Sequence, residues 1–241
     1  MRMKLILAVA ALFLSMCASA QVLDTLDVSN EADGRFSQQV GQFLIEGQVV
    51  NGLKEGVWYE IYEDKKLVHR IVEFEKGVIN GAYIEIDDTG ALIRKSEYSN
   101  GQLNGTSYTW YRGGKLSYMN TYKDGVLNGE QIHCYQQGGY REVAYYKDGL
   151  REGQSTWFNQ NGGKAMTIEY KAGQFEGLQE IYYENGQLKS SKMYKNNVLD
   201  GPVVEYYESG AKKMETTYKD GVQTGKVKRY TDRKPEAEQQ D

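Results

Sequence analysis

The stretch Gly173–Tyr194, GQFEGLQEIYYENGQLKSSKMY, decides the fold. Its apolar and aromatic residues form two short runs, Leu178 to Tyr183 and Leu188 to Tyr194, on either side of Asn185-Gly186. Asn-Gly between two β-prone runs is the strongest short-range hairpin signal, because the favoured two-residue turn needs positive φ at both central positions. Neither run carries the 3.6-residue apolar period of an amphipathic helix. The stretch therefore reads as one β-hairpin.

The same unit recurs along the chain. Its opening Gly173/Gly177 pair is repeated as Gly52/Gly56, Gly77/Gly81, Gly101/Gly105, Gly125/Gly129, Gly149/Gly153 and Gly221/Gly225, with Asn197 in the first slot before Gly201. Successive units start 25 residues apart once and 24 residues apart thereafter. A third glycine follows 13 positions after the start, at Gly90, Gly114, Gly138, Gly162, Gly186 and Gly210. The spacing predicts a Gly-x-x-x-Gly turn between successive hairpins.

Tyrosine obeys the same register. Twenty-one positions after six of the starts lie Tyr98, Tyr122, Tyr146, Tyr170, Tyr194 and Tyr218, with Phe74 as the one-residue-shifted equivalent in the first unit, and ten positions after lie Tyr62, Tyr111, Tyr135, Tyr183 and Tyr207, broken by Asp87, Asn159 and Thr231. Column nine reads Ile61, Ile86, Trp110, Cys134, Phe158, Tyr182, Tyr206 and Tyr230. A lone hairpin is marginal in water, so the units must stack and share their apolar faces. The expected object is an all-β, elongated single-sheet solenoid of stacked antiparallel hairpins, on the order of 75 Å long at about 4.8 Å per strand. Columns nine and ten should face opposite sides. Column ten is the one candidate binding feature, an aromatic ladder for a sugar chain or peptide. Cross-strand packing that holds adjacent hairpins together is the competing and favoured reading.

Composition narrows the function classes. The 241 residues carry 29 basic and 33 acidic side chains, a net charge of −4, which argues against a nucleic-acid partner that would need a basic stripe. Two cysteines and two histidines offer neither a disulfide framework nor a metal site. Met1 to Lys4, the apolar run Leu5 to Met16 and Ala18-Ser19-Ala20 read as a cleaved secretory signal over residues 1–20, because the run is too short to span a bilayer. A lipidated Cys17 is the alternative, although Met16 is bulky for such a site. Residues 21–40 lack the register and read as a linker or loose cap, 41–230 as the repeat array, and 231–241 as a disordered tail.

These units resemble the MORN-repeat variant of bacterial YwqK-like proteins, most clearly at Gly173–Tyr194 and again from Asn197 to Gly221. The resemblance implies a non-enzymatic binding or scaffolding protein without a cofactor. It also implies a protein partner, a membrane contact in the wider family, or a toxin bound by an antitoxin. The export signal departs from a cytoplasmic antitoxin and favours an interaction role at the cell envelope, with a glycan or envelope polymer as the alternative ligand. Membrane contact is expected only through a lipidated Cys17 or weak peripheral attachment.

No catalytic constellation emerges. His133 and Cys134 are adjacent and should point to opposite faces, leaving Cys134 a buried structural thiol, and His69 has no second ligand in sight. Glu60, Glu85, Glu205 and Glu208 read as members of a solvated strand face. Lys123, Lys147, Lys171, Lys195 and Lys219 form a basic column at the turn edge, largely cancelled by Asp124, Asp148 and Asp220.

Overall fold

The computed structural model describes residues 22–232. A single-turn helix, α1 (Val22–Thr25), precedes β1 (Gly34–Val40), β2 (Phe43–Val50) and β3 (Leu53–Tyr62). Then come β4 (Leu67–Glu75), β5 (Val78–Ile86), β6 (Leu92–Ser99), the short β7 (Gln102–Leu103) and β8 (Gly105–Trp110). The middle holds β9 (Leu116–Lys123), β10 (Val126–Cys134), β11 (Tyr140–Lys147), the short β12 (Leu150–Arg151) and β13 (Gly153–Phe158). The last strands are β14 (Lys164–Lys171), β15 (Gln174–Tyr182), β16 (Leu188–Lys195), β17 (Val198–Tyr206), β18 (Lys212–Lys219), β19 (Val222–Gln223) and β20 (Lys228–Arg229).

All 20 strands belong to one sheet. The pairings are antiparallel and join strands close in sequence, so the chain meanders from β1 at one edge to β19 and β20 at the other. This is the open hairpin array that the repeat predicted.

The turns differ in kind from the expectation. The two-residue turns with both φ positive occupy the Asp-Gly slot: Asp124 (φ 50°) with Gly125 (φ 79°), Asp148 (φ 49°) with Gly149 (φ 81°), and Lys76 (φ 50°) with Gly77 (φ 80°). Asn197 (φ 66°) fills the glycine slot beside Asn196 (φ 49°), so its turn keeps the same form. The Asn185-Gly186 slot is a wider loop. Tyr183 N–H bonds the Gln187 carbonyl, Gly186 N–H bonds the Tyr183 carbonyl, and only Gly186 has positive φ. That is a type I turn closed by a glycine bulge. The Asn185 side chain bonds the Gln187 N–H at 2.9 Å and holds the loop in that form.

The second glycine of the Gly-x-x-x-Gly pairs is corrected too: expected in the turn, it lies in a strand in every unit but the last, where Gly225 falls between β19 and β20. Gly81, Gly105, Gly129, Gly153 and Gly177 sit directly opposite Tyr98, Tyr122, Tyr146, Tyr170 and Tyr194. Gly81 belongs to β5, four residues beyond the turn, where its N–H and carbonyl take part in the ladder instead of reversing the chain. The physical reason for glycine there is room as well as backbone freedom. Gly81 and Gly105 both have φ of 116°, and a methyl group on them would sit 2.1 Å from the Glu73 carboxylate and 2.3 Å from that of Glu97. Glycine and tyrosine columns therefore face each other across the hairpins, on what we term the tyrosine face.

Residues 22–40 form a packed cap rather than a linker. Leu23, Val28 and Phe36 are buried with Ile45, Val49, Trp58, Val72, Phe74 and Tyr83 in the one apolar core cluster of the described residues. Gly47 makes room for the Trp58 indole, which any Cβ there would strike. The repeat period does not reach this segment because the cap makes its contacts through apolar side chains and not through repeat glycines. Glu60 is corrected with it: expected on a solvated face, it is fully buried. It accepts the Leu23 N–H and lies 3.5 Å from the Arg70 guanidinium. The expected signal over residues 1–20, Cys17 and nearly all of the C-terminal tail lie outside the described residues.

Candidate functional site

The sequence singles out the column-ten tyrosines. Tyr111, Tyr135, Tyr183 and Tyr207 follow the last residues of β8, β10, β15 and β17 and so open the wide loops. Each hydroxyl donates to the backbone carbonyl of the column-nine residue in the next unit: Tyr111 to Cys134 at 2.9 Å, Tyr135 to Phe158 at 2.7 Å, Tyr183 to Tyr206 at 2.8 Å and Tyr207 to Tyr230 at 2.9 Å. In the first unit His69 Nδ1 takes this role on the Ile86 carbonyl at 2.7 Å, while Tyr62 packs against both Phe43 and His69, which stack on each other at 5.2 Å. Lysine ammonium groups lie over three of these rings: Lys65 over Tyr62, Lys189 over Tyr183 and Lys213 over Tyr207. Tyr111, Tyr135, Tyr183 and Tyr207 are thus struts between hairpins, with their hydroxyls engaged.

The opposite end of each unit is tied as well. The N–H of each turn glycine donates to a carbonyl of the preceding unit, as Gly125 to Leu103 and Gly149 to Leu127, both at 2.8 Å. Asn104 and Asn128 add side-chain bonds to Asp124 and Asp148 in the following turns. Gly77, Gly101, Gly149 and Gly173 also leave room for Leu53, Val78, Val126 and Leu150 of the preceding unit, which would lie within 3.1–3.4 Å of any added Cβ. These aliphatic side chains remain exposed at the turn edge, beside the lysine column.

The tyrosine face packs against itself. Phe175 meets Tyr170 and Tyr194 edge-on at 5.1 and 5.5 Å. Arg151 lies among Tyr146, Trp157 and Tyr170 and bonds Glu142 at 2.5 Å. Burial pushes the phenols of Tyr98, Tyr122, Tyr146, Tyr170 and Tyr194 above their usual pKa.

The other face carries the arrangement that the sequence reading missed. Tyr140 and Tyr145, at 52% and 45% exposed, are the two most exposed tyrosines of the described residues, and both project from β11. They rim a shallow depression of about 380 Å³ with Phe158, over a floor of Ile132, Val143 and Thr156. Glu130 and Gln154 supply its polar side, and Glu130 accepts the Tyr145 hydroxyl at 3.1 Å. The signal that could have found it is departure from the repeat. Neither tyrosine belongs to columns nine, ten or 21, and the equivalents of Tyr145 in other units are Glu97, Thr121, Glu169, Met193 and Thr217.

The remaining candidates make packing and polar contacts inside the sheet. His133 stacks on Tyr118 at 4.1 Å on the tyrosine face, while Cys134 is a buried free thiol whose pKa burial raises. His69 faces buried Glu60 at 3.8 Å. No cluster of His, Cys, Asp and Glu among the described residues could hold a metal ion.

The family model described as MORN repeat variant matches residues 103–124, 175–196 and 199–220. Each match begins two positions after a turn glycine or its Asn197 substitute and ends in the next turn, so it spans one wide-loop hairpin with its tyrosine strut position. No curated protein matches the chain. Fifty-one solved chains match it. Among them is the crystal structure of TarM, 14% identical, with a TM-score of 0.20 over 54% of this chain and 21% of that one. The match thus spans about a fifth of TarM's length.

Proposed function

We propose that this chain is an exported, non-catalytic repeat protein that holds a partner protein at the bacterial cell envelope. The carrying observation is the pair Tyr140 and Tyr145, exposed on one face of the array although packing of the repeat does not require them. Exposed tyrosines over an apolar floor are the residues that anchor protein interfaces, because they add large contact area at low entropic cost. The three repeat-variant matches support a binding repeat, and the leader-like start from Arg2 to Ala20 supports export. An antitoxin or immunity role would use the same surface but has no support in that leader.

A carbohydrate or envelope polymer is the second reading. The Tyr140–Phe158 ring pair, with centroids 6.1 Å apart beside Glu130 and Gln154, offers an apolar floor and polar edge to a sugar ring. A photo-cross-linking residue at position 156, in the floor of the depression and used in the native envelope, separates the two. A single protein adduct that is absent when the probe sits at position 122 on the tyrosine face supports the first. A glycan adduct overturns it in favour of the second, and no adduct at position 156 removes both.

A further inference from the structure

The two edges of this open sheet are guarded unequally. At the C-terminal edge β20 is only two residues long, Lys228 and Arg229, and Lys228 reaches Glu215 at 3.0 Å. Charged side chains and short strands are the usual means by which an edge resists further pairing. At the N-terminal edge β1 has seven residues, GRFSQQV, in unbroken register with β2 and with no bulge, proline or lysine. Its single charge, Arg35, is engaged by Glu46 of β2 at 3.2 Å. Among the described residues no other segment makes backbone hydrogen bonds to β1, so its outer row of N–H and C=O groups has no backbone partner among them. Ser37, Gln38 and Gln39 are exposed and uncharged.

We infer that β1 pairs antiparallel with β1 of a second copy of this chain, joining two arrays into one continuous sheet about a two-fold axis through Ser37. An isologous contact requires a self-complementary strand, and this one qualifies. Centred on Ser37, Arg35 lies opposite Gln39 of the second copy and Phe36 opposite its Gln38, so no like charges meet. An axis perpendicular to the sheet keeps equivalent faces on the same side. The short, charged opposite edge stops the assembly at two copies.

Light scattering on the purified protein over a concentration series tests this. The expected result is a dimer for the native chain. Ser37→Lys sets two ammonium groups opposite each other and should weaken the dimer at least about tenfold. Ser37→Glu should do the same, and an equimolar mixture of the two variants should restore a dimer, which misfolded chains could not do. Ser37→Cys should form an intermolecular disulfide on mild oxidation, faster than Lys228→Cys at the other edge. A native chain that stays monomeric, a Ser37→Lys variant that dimerises as the native chain does, or a mixture that stays monomeric would each overturn the inference.

Discussion

Tyr183 donates its hydroxyl to the backbone carbonyl of Tyr206, 2.8 Å away in the following hairpin. The same bond runs from Tyr111, Tyr135 and Tyr207, so one side chain in each of these units fixes the spacing of its neighbour. Tyrosine suits this place because its rigid ring reaches across to the next unit and its tip still carries a donor.

Tyr135→Phe and Tyr183→Phe should each lower stability by about 1 kcal/mol, the net worth of one hydrogen bond. The double variant should be additive, because the two struts serve different units. Urea unfolding checks this. No loss in either variant would mean that the hydroxyls contribute nothing to stacking.

Ala172 sits at the first position of a turn with φ 48°, where several other units carry Asn or Asp. Ala172→Asn or Ala172→Gly should stabilise the protein by about 1 kcal/mol, since alanine is strained in the left-handed region. Gly105→Ala should do the reverse, because its φ is 116° and Glu97 occupies the space. Melting temperatures of the three variants give the order directly.

Much of this array was legible in the sequence. The glycine and tyrosine columns carried the hairpin period, and Asn197 was visible as a substitute for glycine. The roles of the glycines were not. Gly77 and Gly81 look alike in sequence, as do Gly101 and Gly105, yet the first of each pair lies in a turn and the second in a strand opposite a tyrosine. Asn185-Gly186 misled for a related reason: a dipeptide that suits a two-residue turn equally suits a type I turn with a glycine bulge. The cap at Leu23 and Phe36 was hidden because it belongs to no unit. The Tyr140–Tyr145 surface was hidden because its residues break the pattern, and periodicity marks only positions that recur.

Arg151 stands in a column that holds Leu103, Leu127 and Leu199 in other units. Arg151→Leu alone should cost about 1–2 kcal/mol, because it strands the Glu142 carboxylate in a half-buried site. Adding Glu142→Met, which copies Met166 and Met214, should restore most of that loss, since a hydrophobic pair can replace an ion pair. Chemical denaturation of the single and double variants measures the coupling.

Desolvation raises the pKa of buried Glu60 above its usual value of 4.5, with Arg70 opposing the shift. The folded state therefore binds more protons than the unfolded chain in the interval between 4.5 and the raised value. Across that interval Glu60 favours the folded state increasingly as pH falls, and its contribution is least favourable at neutral pH. Glu60→Gln should remove this component. The difference in stability between native protein and variant should change between neutral pH and about pH 4.5 and then level off. A difference independent of pH would show that Glu60 titrates as in the unfolded chain.

The division of labour between the tyrosines can be measured in one paired experiment. Tyr140→Ser with Tyr145→Ser should leave the melting temperature near the native value and abolish the cross-linked envelope adduct seen from a probe at position 156, inside the depression. Tyr135→Phe with Tyr183→Phe should lower the melting temperature and leave that adduct intact below the transition. Adduct retained without Tyr140 and Tyr145 but lost without the strut hydroxyls would contradict the assignment of binding to the exposed pair.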